Sequence, residues 1–206
     1  MNKNHEEIEA KFYVRDLKKI EARLQEMGAR LIQERVLEQN IRFDLPDGSL
    51  RSKRRVLRLR RDVANILTYK DSGAQSASDF NRREIEIEVN DFDTARNLLE
   101  ALGYQVFFFY EKYRTTYESD LEGLLHIMLD ELPYGSFVEI EGESVEAIQT
   151  GSNLIGLNWS AAVSSGYHML FEYICKTKGF NFRDLSFENF RGLNITPNDL
   201  DVRAAD

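Results

Sequence analysis

Charged and apolar residues take turns from Glu7 to Val14. The same two-residue rhythm returns over Val56–Arg61, Asn65–Asp71, Arg82–Val89, Leu125–Leu132 and Phe137–Glu143. A period of two sends successive side chains to opposite faces of a pleated backbone, so these segments read as half-apolar strands. Arg30–Asp44 and Tyr104–Glu118 read as two longer strands. Between them the apolar spacing widens to three and four. Asp16 is a candidate N-cap ahead of a stripe of Leu17, Ile20, Leu24 and Met27, with Gly28 as the stop; Asp91 or Asp93 opens a second helix that ends at Gly103. Pro46-Asp47-Gly48 and Pro133-Tyr134-Gly135-Ser136 mark turns, and the small polar stretch Ser72–Asp79 reads as a mobile loop. Eight strands joined mostly by short loops predict a mainly β, antiparallel α+β fold.

Glu9, Asp16, Gly28 and Gln39 lie 75 positions before Glu84, Asp91, Gly103 and Arg114. Each half thus reads as strand, Asp-capped helix, glycine stop and long strand. A duplicated unit and a chance likeness between two such units both account for this. After residue 143 the strand rhythm stops. Ser144–Thr150 and Ser165–Lys176 read as helices, and Phe180, Phe182, Phe187 and Phe190 among polar residues predict a segment draped over the body. Residues after Pro197 are expected to be disordered. The expected organisation is a strand domain over residues 1–143 and a helical extension over 144–206 packed on it.

Composition removes several classes. The single cysteine, Cys175, excludes an internal disulfide and a Cys-rich zinc site, and reads as a packing residue of a protein in the reducing cytoplasm. His5, His126 and His168 are too scattered to suggest zinc. With 35 acids against 27 bases the net charge is −8, which argues against a general nucleic-acid binder. Residues 1–7 hold no apolar signal-peptide core, and Val106–Tyr110 is far too short to cross a membrane. No glycine-rich phosphate loop is present, so phosphates would have to be held by side chains.

Parity within the strands sorts the charges. One face collects Glu7, Glu9 and Lys11; Arg58 and Arg60; Thr68 and Lys70; Arg82, Glu84, Glu86 and Glu88; Lys112 and Arg114; Asp130; Glu139 and Glu141. The other collects Ile8, Phe12, Leu57, Leu59, Leu67, Tyr69, Ile85, Ile87, Tyr113, Ile127, Leu129, Val138 and Ile140. A one-layer sheet with a wet ionic face would give this pattern. So would a closed eight-stranded barrel with an ionic tunnel inside and helices outside. The signs favour the tunnel: acids pair with acids and bases with bases at i and i+2, and such pairs repel unless counter-charges lie between them. Paired acids suit an oxygen-liganded hard cation, Mg²⁺ or Mn²⁺. Paired Arg and Lys suit a polyanion, and a phosphate chain with a divalent metal satisfies both.

These residues resemble the CYTH superfamily of triphosphate tunnel metalloenzymes. The resemblance runs through Glu7-Ile8-Glu9-Ala10-Lys11, Leu57-Arg58-Leu59-Arg60, Thr68-Tyr69-Lys70, Arg82-Arg83-Glu84-Ile85-Glu86, Lys112-Tyr113-Arg114, Leu129-Asp130-Glu131-Leu132 and Phe137-Val138-Glu139-Ile140-Glu141, with a weaker echo at Ser165-Gly166-Tyr167. It implies an eight-stranded antiparallel tunnel that takes a triphosphate-bearing small molecule (ATP, tripolyphosphate or thiamine triphosphate) with Mg²⁺ or Mn²⁺. It implies metal binding by Glu7, Glu9, Glu139 and Glu141, assisted by Asp130 and Glu86. Phosphate binding falls to Lys11, Arg58, Arg60, Lys70, Arg82, Lys112 and Arg114, and Lys11, Glu9 and Glu139 are the catalytic candidates. The implied activity is triphosphate hydrolysis; the alternatives are conversion of ATP to cyclic AMP and pyrophosphate, as in class IV adenylyl cyclases, and binding without turnover. One departure stands out. In Glu38-Gln39-Asn40-Ile41-Arg42-Phe43-Asp44, Glu38 and Arg42 occupy positions where the family often has Gln and Tyr.

Overall fold

Asp16 and Asp91 cap helices as their positions predict, each side chain accepting a hydrogen bond from the backbone N–H three residues on, that of Lys19 and of Thr94. A computed structural model of the chain describes residues 8–71, 83–120 and 123–206. The elements are β1 (Ile8–Val14), α1 (Leu17–Glu26), β2 (Arg30–Asp44), α2 (Ser49–Ser52), β3 (Arg55–Arg61), β4 (Asn65–Asp71), β5 (Arg83–Glu88), α3 (Phe92–Ala101), β6 (Gln105–Ser119), β7 (Leu125–Leu132), β8 (Gly135–Gly142), α4 (Val145–Leu154), β9 (Ala162–Val163) and α5 (Tyr167–Lys178). Short 3₁₀ turns lie at Trp159–Ala161 and Pro197–Leu200. The 75-residue echo is structural: α1 with β2 and α3 with β6 have identical lengths at that offset. Both helices stop at a glycine in the left-handed region, Gly28 at φ 76° and Gly103 at φ 93°, a conformation that costs a side chain free energy.

Hydrogen-bonded neighbours run β5-β4-β3-β2-β6-β7-β8-β1-β9. The sheet is antiparallel as expected, for instance between β1 and β8, β3 and β4, and β6 and β7. Among the described residues the count is nine rather than eight. The extra strand, β9, has two residues and pairs with Lys11 and Phe12 of β1; it is too short to carry a readable period. Among the described residues the order is linear from β5 to β9, where a closed ring of eight was expected.

The chain divides into two compact units. Residues 37–111 make up the bulk of the first, and residues 8–36 with 112–206 form the second, so β2 and β6 each contribute to both. In the first unit Ile41, Phe43, Leu57 and Leu59 pack with Leu50 of α2 and the α3 stripe Phe92, Ala95 and Leu99. In the second, Phe12, Val14, Ile127, Leu129, Val138 and Ile140 pack with Ile20 and Leu24 of α1 and Ile148 of α4. Each fully buried large aliphatic or Phe side chain there contributes about 1.5–3 kcal/mol.

The segment after α5 packs through its aromatic side chains within the second unit. Phe180 stacks on Phe182, Phe190 meets both rings and Tyr134 edge-on, and Phe171 of α5 lies tilted against Phe182 and Phe190. The expected disorder beyond Pro197 is overturned. Thr196 and Asp199 form a capping box, and Leu200 and Ala205 are buried. The Ala205 N–H donates to the Tyr13 carbonyl at 2.9 Å, and the Asp206 carboxylate accepts from the N–H groups of Arg15 and Asp16. Parity arguments could not find these contacts, because they are made by backbone groups and one carboxylate. Among the described residues no helix is long and apolar enough to cross a membrane.

Candidate functional site

Part of the charged face is buried: Lys11 is 6% exposed, Lys112 3%, Asp130 0% and Glu139 6%. On β5 both faces are open, Glu86 and Glu88 on one side and Ile85 and Ile87 on the other. In the second unit, strand register brings four ions together. Lys11 of β1 lies opposite Glu139 of β8, and its Nζ donates to Glu139 Oε1 at 2.7 Å while sitting 3.7 Å from Glu9 Oε1. Arg114 of β6 lies opposite Asp130 of β7 and grips it with two N–H···O bonds, both 2.7 Å. The same guanidinium reaches Glu139, and Lys112 Nζ donates to Asp130 Oδ2 at 2.9 Å. Tyr167, the first residue of α5, completes the cluster. Its hydroxyl donates to Asp130 Oδ2 at 2.8 Å, and its ring faces the ammonium groups of Lys11 at 4.5 Å and Lys112 at 5.2 Å. Tyr134 OH, bonded to the Tyr167 carbonyl at 2.9 Å, and Phe137, edge-on to its ring, hold it there. Phe137, Met128 and Tyr13 share the parity of the ions, so this face is ionic and aromatic rather than purely ionic.

Electrostatics fixes the protonation states. Burial works against the charged form of Lys11, but Glu139 and Glu9 outweigh it and raise the ammonium pKa above its ordinary value. Burial likewise opposes the Glu139 carboxylate, and Lys11, Arg114 and Lys112 prevail, holding it well below the usual carboxylate range. Burial, then Asp130 and Glu139, push the Tyr167 phenol well above the ordinary tyrosine value. Lys11 is therefore a fixed cation and not a proton acceptor near neutral pH.

The first unit carries its own charged face. Arg58 lies opposite Thr68, and Thr68 opposite Glu86; the Thr68 hydroxyl donates to Glu86 at 2.7 Å, and Arg58 is 3.9 Å from the same carboxylate. Lys70 pairs with Glu84 at 3.0 Å and Arg60 with Asp62 at 3.2 Å. Buried Asn40 donates to buried Glu38 at 2.8 Å. Burial opposes the Arg58 charge, but Tyr110, Glu38 and Glu86 raise its pKa.

Of the predicted site residues, Lys11, Glu9, Lys112, Arg114, Asp130, Glu139 and Glu141 belong to the second unit, and Arg58, Arg60, Lys70 and Glu86 to the first. Glu7 and Arg82, like the stretch Ser72–Asp79, lie outside the described residues. Asp130, expected to assist a metal, has both oxygens engaged by Lys112, Arg114 and Tyr167. Glu38, Arg42, Tyr110 and Tyr167 were not among the predicted site residues. Extending parity along β2 and β6 would have found the first three, which share a face with Asn40 and Lys112. Tyr167 sits at a helix start, and only the Ser165-Gly166-Tyr167 echo pointed to it.

Donor chemistry decides whether a divalent cation suits the second unit. Among the described residues no group of three His, Cys, Asp or Glu side chains could hold a metal ion. Glu9 and Glu141 nevertheless stand directly opposite each other on β1 and β8. Opposed like charges are unfavourable, and a hard cation between them reverses the sign. Mg²⁺ is commonly held by only one or two carboxylates together with substrate phosphates, so this oxygen pair fits it.

Comparison with known proteins identifies the family and the fold. The CYTH domain model matches residues 5–152. No curated protein sequence matches. Among solved structures, a candidate adenylate cyclase from Vibrio parahaemolyticus is 20% identical, with a TM-score of 0.72 over 82% of this chain and 99% of its own. A protein from Pyrococcus horikoshii is 25% identical, with a TM-score of 0.61 over 81% of this chain and 98% of its own. A candidate adenylyl cyclase from Hippeastrum, described as having a dominant triphosphatase activity, is 20% identical, with a TM-score of 0.51 over 96% of this chain and all of its own. The antiparallel strand fold, the ordered charged motifs and the match over most of its length together make this chain a member of the CYTH domain family.

Proposed function

We propose that the chain is a divalent-metal-dependent enzyme that hydrolyses a triphosphate, with Lys11, Lys112 and Arg114 of the second unit binding phosphate oxygens; Arg58, Arg60 and Lys70 are proposed as the phosphate-binding residues of the first unit's own charged face. One observation carries the reading: the buried network of Lys11, Glu139, Arg114, Asp130 and Lys112. Dry ion pairs are a poor source of stability, since desolvation costs several kcal/mol per ion, so a cluster of this kind marks a site built for a charged ligand. Hydrolysis is favoured over cyclisation by the triphosphatase activity named for the Hippeastrum protein, a likeness in fold.

In this mechanism Asp130 and Glu139 are scaffolds for the cations. Asp130 fixes the Arg114 fork and the Lys112 ammonium, so both present their remaining N–H donors to phosphate oxygens without reorganising. Lys11, kept protonated, stabilises charge developing on the phosphoryl oxygens during transfer. Glu9, with a side chain 44% exposed where that of Glu139 is 8%, is the carboxylate of the cluster open to water and is the candidate to receive its proton. Water attacks the terminal phosphorus, the anhydride oxygen leaves with the shortened chain, and orthophosphate is released. Mg²⁺ or Mn²⁺, held by Glu9 and Glu141, would supply charge neutralisation on the phosphate oxygens.

Phosphorus NMR of the full chain with tripolyphosphate and with ATP, under Mg²⁺ and under Mn²⁺, tests the proposal. Orthophosphate from tripolyphosphate is expected in the presence of either metal. Glu9→Gln should weaken Mn²⁺ binding, followed by electron paramagnetic resonance, by about tenfold or more, since even loss of a group that only supports a metal ligand costs about 10–100-fold. Cyclic AMP from ATP without orthophosphate release would replace hydrolysis by cyclisation. Tight binding of both compounds with no turnover would make the chain a binding module.

A further inference from the structure

Tyr167 belongs to the buried network of the second unit, yet the mechanism above gives it no role. Its place is fixed from several sides. Leu170, Phe171 and Ile174 seat α5 in the core of the second unit. The Tyr134 hydroxyl donates to the Tyr167 carbonyl at 2.9 Å, and Phe137 meets the Tyr167 ring edge-on at 5.3 Å. The Tyr167 hydroxyl donates to Asp130 Oδ2 at 2.8 Å. A ring held in this way presents its face to two cations. The Lys11 ammonium lies 4.5 Å from the ring centroid and that of Lys112 5.2 Å. Both fall within the roughly 6 Å over which an aromatic face attracts a cation. The two lysines come from β1 and β6, which are not hydrogen-bonded neighbours, so no strand pairing sets the distance between them directly. Glu139 also reaches both ammonium groups, at 2.7 and 4.0 Å. The two contacts differ in kind. A carboxylate cancels positive charge, whereas a neutral ring attracts through its quadrupole and leaves the charge available to a ligand. Burial, Asp130 and Glu139 keep the phenol protonated, so the ring stays neutral.

We propose that Tyr167 is a positioning residue for phosphate binding: its ring holds the Lys11 and Lys112 ammonium groups as a pair without neutralising either, so that both meet phosphate oxygens already placed. This rests on the reading of Lys11 and Lys112 as phosphate-binding residues. Side chains ordered before the ligand arrives lose less freedom on binding, which is where the gain in affinity lies. The hydroxyl and the ring then act separately. The hydroxyl, with the packing of α5, places the ring and stabilises the fold, and the ring acts on the ligand through the lysines. Tyr167 lies beyond residues 5–152, over which the family model matches, so the site extends into the C-terminal segment.

Calorimetric titration of the full chain with tripolyphosphate, in metal-free buffer, tests it through the contrast between two variants. Tyr167→Phe keeps the ring and should weaken binding by about threefold at most. Tyr167→Leu removes the ring and should weaken it by about tenfold or more, the loss of two desolvated cation–ring contacts. A role confined to stability would not separate the two, since both lose the hydroxyl. Coupling shows whether the loss runs through the lysines. In a Lys112→Met background Tyr167→Leu should cost only about threefold further, because one of the two contacts is already gone. A spectroscopic signature stands even if the leucine variant fails to fold: in NMR spectra of the wild type, the Cε protons of Lys11 and Lys112 should lie upfield of those of the other lysines, shifted by the ring current of Tyr167. Equal losses in Tyr167→Phe and Tyr167→Leu, additive losses with Lys112→Met, or ordinary shifts for both lysines would overturn the role of Tyr167 and leave the triphosphate reading intact. Absence of tripolyphosphate binding by the wild type would overturn both.

Discussion

Replacing Tyr167 by Phe removes one hydroxyl from the centre of the buried network and leaves the rest of the side chain in place. The ring keeps its edge contact with Phe137 and its face toward Lys11 and Lys112. What is lost is a 2.8 Å donation to a carboxylate with no solvent exposure. Hydrogen bonds to buried charged groups are worth about 1.5–3 kcal/mol. Asp130 still accepts two bonds from Arg114 and one from Lys112 in the variant, which places the loss at the lower end, about 1.5 kcal/mol. For a chain of this length that is a fall of about 3–6 °C in melting temperature. The pH dependence separates this from a packing defect. The folded-state pKa of Tyr167 lies above the unfolded value of about 10, so its contribution is fully present below pH ~10 and is lost as pH rises from there toward the folded value. The wild type should lose its advantage over Tyr167→Phe above that pH. Urea denaturation from pH 7 to 11 reads both effects. Equal stability of the two proteins at pH 7, with parallel alkaline slopes, would refute the reasoning.

Glu139→Gln should abolish turnover and flatten the acid limb of stability. The carboxylate pKa is depressed by Lys11 and Arg114, so its contribution is present above the unfolded value of about 4.3 and disappears as pH falls through the folded value; denaturation between pH 2 and 5 reads the lost slope. Asp206→Asn weakens the acceptor for the Arg15 and Asp16 N–H groups beside the start of α1 and should cost about 0.5–2 kcal/mol by thermal unfolding, with turnover unaffected.

Much of this fold is legible in the sequence because strand parity is strict. The bounds of β4 and β7 coincide with the apolar-charged alternation, β2 spans the expected long strand Arg30–Asp44, and Asp16, Asp91, Gly28 and Gly103 set the helix ends. The site is legible for the same reason: Lys11, Arg114, Asp130 and Glu139 share one parity, and antiparallel register then sets Lys11 against Glu139 and Arg114 against Asp130. What escaped is whatever does not alternate. Tyr167 belongs to a helix, β9 has two residues, and residues 204–206 act through backbone pairing and a carboxylate. Whether Lys11 is a base or a cation was also hidden, since burial and its acid partners push in opposite directions and only distances decide between them.

The pairing of β1 has a consequence for biosynthesis. Its partners are β8, β9 and the stretch around Ala204, all more than a hundred residues downstream. During translation Lys11 meets Glu139 only after residues 135–142 have left the ribosome, so the N-terminal strand must wait with its apolar side unprotected. Ordering steps of such long sequence separation are slow, and the nascent chain over that interval is where a chaperone would be needed most.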